Sequence, residues 1–220
     1  MHKIFADIET VPDQSPGWHE RAAQNTKPPG NMSKPETIAK WWDEKGEAAI
    51  DETHRKTALD GAYGEIISIA WQVDDQDIKC LTRMRHESET QLLAASFEDL
   101  YSQVGKPTAS WIAHNSDFDL FFLQQRCWIN NIKPTINIPY DVRPGSELAQ
   151  DPMKMFRGYY SRKTISQDEL YRILGGPPLL DDITGDMVYD LWKAEKYDII
   201  RDYNIRDVKK LVHNYRRLTR

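Results

Sequence analysis

The chain has 220 residues, of which 40% are hydrophobic and 29% are charged, and its formal net charge is −5. This composition is typical of a globular protein and excludes collagen-like, coiled-coil and wholly disordered chains. The negative charge argues against a protein that coats duplex nucleic acid through bulk charge, although it leaves local phosphate binding open. Apolar runs are far shorter than a bilayer span, and Asp7 comes before a signal-peptide core could form, so we expect a cytoplasmic protein.

The first predicted strand, Lys3–Thr10, has two distinct faces. The even-numbered residues from 4 to 8 are apolar, whereas Asp7 and Glu9 share the opposite face with Phe5. Ionised carboxylates are unfavourable on a central strand unless a cation neutralises them. This face therefore either holds a divalent cation or belongs to an edge strand whose polar side meets water.

Hydrophobic periodicity and turn residues predict the remaining elements. The first part of the chain is predicted to contain an irregular stretch over residues 11–35, a helix from the capping-box spacing Ser33–Glu36 to about Leu59, and a hairpin of strands Glu65–Val73 and Ile78–Met84. The middle part follows with a helix Thr90–Val104, a strand Ala109–Ala113, a helix carrying Phe118 to Trp128, and a strand Thr135–Val142. The last part contains a loop Met153–Lys163, a helix from a capping box at Ser166, and helices over Asp186–Lys196 and Tyr197–Leu218.

This order of elements predicts an α/β fold with a mixed, mostly five-stranded sheet flanked by helices. We expect one domain over residues 1–220, with a helical and irregular insertion over residues 12–62 after the first strand.

Further carboxylates occur at two other places in the chain. Asp119 lies in the first turn of the helix that follows His114–Asn115, a position that the helix dipole alone would explain. Tyr203 and Asp207 are four residues apart in the last helix and therefore share a face. Taken singly, Asp207 could equally pair with a neighbouring Arg206 or Lys210 at the surface.

Three motifs in order resemble the DEDD 3′–5′ exonucleases, also called DnaQ-like. Phe5–Thr10 resembles the D-x-E strand of that family, and the segment from His114 to Asp119 resembles its H-N-x-x-F-D motif. Tyr203–Asp207 fits the Y-x-x-x-D form of the third motif, which marks the DEDDy branch, because the position of the alternative histidine is Asp202. The resemblance implies a ribonuclease H-like fold, similar to that of stand-alone PolB-like proofreading exonuclease domains.

That resemblance also implies a chemistry. Two divalent cations, Mg²⁺ or Mn²⁺, would be held by Asp7, Glu9, Asp119 and Asp207, with Asp7 bridging both, and Tyr203 would orient the attacking water. The implied reaction is hydrolysis of single-stranded DNA from the 3′ end to nucleoside 5′-monophosphates. Two alternatives remain, an exoribonuclease of the same fold that trims RNA and a catalytically silent module that binds nucleic acid.

Candidate substrate contacts are less closely tied to motifs. They are Thr10, Val11, His114, Asn115, Phe118, Arg157, Arg162 and Lys163. The segment Met153–Lys163 carries four cations and three aromatic residues, which suits phosphate contacts and base stacking but also a solvated basic loop.

We expect the partners to be 3′ ends of single-stranded nucleic acid, DNA rather than RNA, and no membrane. The insertion over residues 12–62 could bind a replication, repair or recombination partner. Basic residues also cluster near the C-terminus, and we attribute them to the dipole of the last helix. They are Lys209, Lys210, Arg216, Arg217 and Arg220.

Overall fold

The computed structural model describes residues 1–178 and 183–220. The chain divides into two compact units, one made of Met1–Glu9 with Ile66–Arg220 and the other of Thr10–Glu65. The second unit covers the residues for which an insertion is predicted. In the described parts of the chain, no helix is long and apolar enough to cross a bilayer.

A mixed sheet has the strand order β3-β2-β1-β4-β5. Its five strands are β1 (Lys3–Val11), β2 (Glu65–Val73), β3 (Lys79–Thr82), β4 (Ser110–Ile112) and β5 (Ala149–Gln150). Strands β2 and β3 are antiparallel, whereas β4 pairs in parallel with both β1 and β5. The predicted mixed, five-stranded sheet is confirmed, and β1 is its central strand rather than an edge.

Helices account for most of the remaining residues. They are α1 (Trp18–Asn25), α2 (Pro35–Lys56), α3 (Glu89–Val104), α4 (Ser116–Ile129), α5 (Pro152–Arg157), α6 (Gln167–Ile173), α7 (Val188–Lys193) and α8 (Tyr197–Leu218), with 3₁₀ turns at Thr57–Leu59 and Gly185–Met187.

The two faces of β1 contribute to different parts of the core. Ile4, Ala6 and Ile8 pack in a large apolar cluster with residues of α3 and α4. Phe5, on the other face, packs with residues of α8, and its ring meets that of Tyr215 edge to face at 5.4 Å. The predicted alternation is therefore confirmed, and the face that carries Asp7 and Glu9 is the one covered by α8.

The predicted strand Thr135–Val142 is wrong. Pro134 and Pro139 lack the N–H groups that a ladder needs at both ends of this segment. The backbone of Asn137 instead bonds outside the sheet, donating to the carbonyl of Pro107 and accepting from the indole of Trp111. The edge of β4 is left for β5, a two-residue strand that follows a loop.

The predicted loop Met153–Lys163 is also partly wrong, because α5 occupies its first half. The carboxylate of Asp151 accepts hydrogen bonds from the backbone N–H groups of Met153 and Lys154, and Pro152 has the backbone angle that suits a first helical turn. Asp151 and Pro152 therefore start this short helix, and Gly158, with φ 95°, ends it.

The smaller unit contains one helix that the sequence pattern did not indicate. Helix α1 lies inside the stretch 11–35, which we expected to be irregular, and it begins after Gly17, whose φ is 77°. It packs against α2, which is a helix as predicted. At this contact, the hydroxyls of Thr26 and Thr53 lie 2.9 Å apart. The N-cap of α2 is Lys34 and not the predicted Ser33, and no side chain caps it.

Candidate active site

Three carboxylates converge between the centre of the sheet and α8. Ligand atoms of Asp7, Glu9 and Asp207 all lie within 4.8 Å of one another, and among the described residues these three form the group that could hold a metal ion. Asp7 and Glu9 project from alternate positions of β1, and Glu9 and Asp207 are each only 8% exposed. The structure thus brings together the first and third predicted motifs, which are about 200 residues apart in the chain.

Helix α8 sets the position of the third carboxylate. Val208, Leu211 and Tyr215 pack against the sheet and fix the rotation of the helix. Tyr203 lies one turn before Asp207 on the same face, and the two side chains are close enough that each shifts the pKa of the other. The helical spacing predicted from sequence is therefore the spacing that places a hydroxyl beside the carboxylate group.

Asp119 belongs to the same electrostatic environment but lies outside the 4.8 Å group. It is 7% exposed in the first turn of α4. Burial, aided by the nearby carboxylates Asp151 and Asp207, raises the pKa of Asp119 to about 8, against the lowering effect of backbone hydrogen bonds from Asp119 and Ile8. Asp119 is also the strongest of the charged neighbours that raise the pKa of Asp7.

The carboxylates are mutually repulsive at neutral pH. Burial, followed by Asp119, Glu9 and Asp207, raises the pKa of Asp7 well above its usual range. Burial likewise raises the pKa of Asp207, although a neighbouring ammonium group acts in the opposite direction. A divalent cation would relieve this repulsion, and an all-oxygen donor set suits Mg²⁺ or Mn²⁺. The residues present therefore fit the implied cations.

The neighbouring ammonium group belongs to Lys210, which we expected at the surface. Its Nζ lies 2.9 Å from Oδ1 of Asp207 and 2.6 Å from Oδ1 of Asp168, and its side chain is 3% exposed. The i, i+3 spacing from Asp207 was visible in the sequence. Burial was not, because it depends on α6, which brings Asp168 over this part of α8.

A second residue that the motifs did not indicate, Asp151, supports the start of α4. Its carboxylate is 1% exposed and accepts hydrogen bonds from the backbone N–H groups of Asn115 and Ser116 at 3.1 and 3.0 Å. Asn115 has φ 61°, a left-handed conformation that Asn tolerates. The turn that carries the second motif is therefore held by a residue that follows β5, more than 30 positions later in the chain.

The candidate substrate residues of the larger unit lie in contrasting surroundings. Nε2 of His114 lies 2.8 Å from the carbonyl oxygen of Ile165. Burial lowers the pKa of His114. Phe118 packs against the core. Three further candidates are exposed cations. They are Arg157, Arg162 and Lys163.

Two candidates lie in the smaller unit. The hydroxyl of Thr10 donates a hydrogen bond to the carbonyl of Ala58 at 2.7 Å, and Val11 is fully buried. The role of these residues in binding substrate stays a prediction.

Comparison with known proteins identifies the family of this chain. A family model described as "Predicted 3'-5' exonuclease related to the exonuclease domain of PolB" matches residues 59–219. The chain belongs to this family of PolB-related exonuclease domains. No curated protein matches the sequence.

A solved structure establishes the fold independently. The family B DNA polymerase of the hyperthermophilic archaeon Pyrobaculum calidifontis aligns with 100% of this chain at a TM-score of 0.61 and 14% identity. The chain spans only 24% of the length of that polymerase. The likeness confirms the ribonuclease H-like fold that the motifs implied, as it occurs in exonuclease domains of this kind.

Proposed function

We propose that this chain is a 3′–5′ exonuclease of the DEDDy type, which hydrolyses single-stranded DNA from the 3′ end and releases nucleoside 5′-monophosphates. The observation that carries the proposal is the convergence of Asp7, Glu9 and Asp207 within 4.8 Å, in a chain of the PolB-related exonuclease family. Asp119 completes the carboxylate set, since it raises the pKa of Asp7 through space.

Asp7, Glu9, Asp119 and Asp207 are the residues that would hold Mg²⁺ or Mn²⁺. Two such ions, when bound, lower the pKa of water and neutralise charge that develops on a phosphate. The protein's own contribution is to keep four carboxylates in a largely buried position, where charge interactions are stronger than in water. A chain that had become a silent binding module would have no need to keep this unfavourable cluster.

Tyr203 would position the attacking water and would not act as a base. Burial raises the pKa of the Tyr203 hydroxyl above its usual range, and Asp207, Glu9 and Asp7 raise it further. The hydroxyl therefore stays protonated at any physiological pH. It can donate one hydrogen bond to Asp207 and still accept or orient a water molecule.

The segment from the end of α5 to Lys163 supports binding of a single strand. Arg157, Arg162 and Lys163 are exposed, and Tyr160 is 89% exposed. Exposed cations interleaved with an exposed ring suit phosphate contacts and stacking on unpaired bases. Whether the strand is DNA or RNA depends on contacts to the sugar, and we propose DNA. A partner for the smaller unit, and a cytoplasmic location, stay predictions.

A timed digestion tests this function. Single-stranded DNA and RNA of one sequence, each labelled at the 5′ end, are incubated with Mg²⁺, Mn²⁺ or EDTA and resolved on a gel. We expect a metal-dependent ladder that shortens from the 3′ end, faster with DNA, and that is lost with Asp7→Ala.

Asp198→Ala is the matched control, because Asp198 lies in α8 but its side chain is 86% exposed. It should retain the ladder. A faster RNA ladder would identify the exoribonuclease instead, and activity in Asp7→Ala would overturn the site. Absence of any ladder in the wild-type protein, with binding of DNA retained, would identify the silent module.

A further inference from the structure

A basic cavity of about 460 Å³ lies against the second half of α8. Five of its lining side chains are cationic or imidazole, and we call this set the α8 basic pocket. They are Lys209, His213, Arg216, Arg217 and Arg220. The other lining residues are apolar or glycine, so among the described residues no carboxylate lines the cavity.

The pocket faces away from the carboxylate site. Lys209, His213, Arg216 and Arg220 follow one another at intervals of three or four residues and therefore share one face of the helix. Arg216 is nine residues beyond Asp207, which is about two and a half helical turns and about 13 Å along the axis. A ligand group bound in this pocket is therefore a different group from one bound at the carboxylates.

The rim of the pocket is ordered by a turn at the end of α6. Gly175 has φ 77°, a conformation that glycine adopts without strain. His213 Nε2 donates to the carbonyl of Leu174 at 3.3 Å, and the ring of His213 packs edge to face on Tyr171. One ring nitrogen of His213 is thereby committed to the protein, which fixes the orientation of the imidazole.

The helix dipole explains only part of this charge, because Arg216 and Arg217 lie in the last turn of α8, as expected from the sequence, whereas Lys209 does not. Lys209 lies nine residues before Leu218, the last residue of α8, whereas the dipole acts within the last turn. Arg216 pairs with Asp75 at 2.5 Å, but the Asp75 side chain is 90% exposed and such pairs contribute little. In the part of the chain that the structure describes, Lys209, Arg217 and Arg220 form no ion pair.

We propose that the α8 basic pocket binds backbone phosphates of a nucleic acid at a part of the molecule away from its 3′ terminus. The cations are spread along about 16 Å of helix, from Lys209 to Arg220, which suits several successive phosphates better than one phosphate group. The chain as a whole carries a net charge of −5, so this surface concentrates positive charge against the average.

This inference names a second contact for the substrate of the proposed exonuclease, and it rests on that function only for the identity of the polymer. Its physical consequence is that binding affinity depends on the length of the nucleic acid. A short oligonucleotide that reaches the carboxylates does not extend to the opposite face of α8. A longer one does, so the pocket would add affinity for long substrates alone.

The test measures binding in EDTA, so that it does not depend on catalysis. Fluorescence anisotropy follows a labelled single strand of roughly 20 nucleotides and a labelled trinucleotide between about 50 and 200 mM salt. The pocket variant is Lys209→Gln/Arg217→Gln/Arg220→Gln. The control is Lys40→Gln/Lys56→Gln/Lys106→Gln, which removes the same charge from exposed positions elsewhere.

We expect the pocket variant to weaken binding of the long strand by about tenfold or more, and to lower the slope of log Kd against log salt by about 2, at roughly 0.7 per lost phosphate contact. Binding of the trinucleotide should be unchanged, and the control should match the wild-type protein with both strands. Equal Kd values and slopes in the pocket and control variants would overturn the proposal. If the pocket variant lost long-strand binding but the wild-type protein showed no exonuclease activity, the pocket would be supported and only the proposed function would be refuted.

Discussion

The ammonium group of Lys210 lies 2.9 Å from Oδ1 of Asp207, beside the carboxylates that would hold metal ions. It also lies 2.6 Å from Asp168, so one buried cation serves two carboxylates from neighbouring helices. Without a divalent ion, Lys210 is the positive charge that offsets the repulsion among Asp7, Glu9 and Asp207. When a divalent ion is bound, both the ion and Lys210 would offset the charge of Asp207.

Lys210→Met should therefore destabilise the metal-free protein more than the metal-bound one. In EDTA, we expect the free energy of unfolding to fall by about 2–4 kcal/mol, because a buried carboxylate loses its partner. With saturating Mn²⁺ the loss should be smaller, since the ion replaces part of the missing charge. Urea denaturation followed by circular dichroism measures both values.

Lys209→Met is the matched control for that experiment. Lys209 is the preceding residue but is exposed, so its replacement should change stability by less than about 0.5 kcal/mol. An equal loss for Lys210→Met with and without Mn²⁺ would mean that Lys210 does not share its role with the cation.

The raised pKa of Asp119 predicts an unusual dependence of stability on pH. A carboxyl group with a pKa of about 8 in the folded protein and about 3.9 in the unfolded chain binds more protons when folded. Its favourable contribution is present at low pH and is lost as pH rises through the folded pKa. In EDTA, stability should fall between about pH 4 and about 8, by up to about 1.4 kcal/mol per pH unit for each such group, and should level off above that range.

Asp119→Asn tests this assignment, because the amide cannot ionise. The slope of unfolding free energy against pH should become flatter in the variant, and it should also become flatter when Mn²⁺ is added to the wild-type protein. A slope that Asp119→Asn leaves unaltered would show that other groups, such as Asp7, carry the pH dependence.

Local patterns were sufficient to predict the carboxylate site itself. Alternation along β1 placed Asp7 and Glu9 on one face, and a spacing of four residues placed Tyr203 beside Asp207. These relationships depend only on the geometry of one strand or one helix. The order of the three motifs then indicated the fold, which the polymerase structure confirms.

Long-range features were not visible in the sequence. Strand β5 has two residues, too few for a periodic signal, and it exists because β4 needs a partner. Asp151 looks like any N-cap, and its bonds to Asn115 and Ser116 depend on β5 placing it next to the start of α4. Burial of Lys210 likewise follows from how α6 packs, which no pattern within α8 encodes.

Breaking a buried ion pair of the larger unit should destabilise the protein strongly. Arg126 Nη2 lies 2.6 Å from Glu89 Oε2, with the side chains 8% and 5% exposed, and Glu89 also accepts from the backbone N–H of Ile66 at 2.7 Å. Glu89→Ala should lower the free energy of unfolding by about 3–5 kcal/mol, because it leaves the buried Arg126 guanidinium without its carboxylate partner. Urea denaturation at neutral pH measures the loss.

An exposed pair elsewhere provides the comparison for Glu89→Ala. Glu52 and Lys56 lie one turn apart in α2 with both side chains 69% exposed, so Glu52→Ala should change stability by less than about 1 kcal/mol. If the two variants lost similar stability, burial of the Glu89 pair would not be the cause of its effect.

Tyr203→Phe separates the two roles that a tyrosine could have beside the carboxylates. If Tyr203 only orients water, removing its hydroxyl should lower kcat by about 10–100-fold, less than the loss in Asp7→Ala. Because burial and the adjacent carboxylates raise the pKa of Tyr203, the hydroxyl stays protonated and the pH–rate profile should keep its shape in the variant. Tyr197→Phe, at the first residue of α8 and nearly two turns before Tyr203, should leave the rate unchanged. A limb of the profile that disappears in Tyr203→Phe alone would show instead that Tyr203 transfers a proton during the reaction.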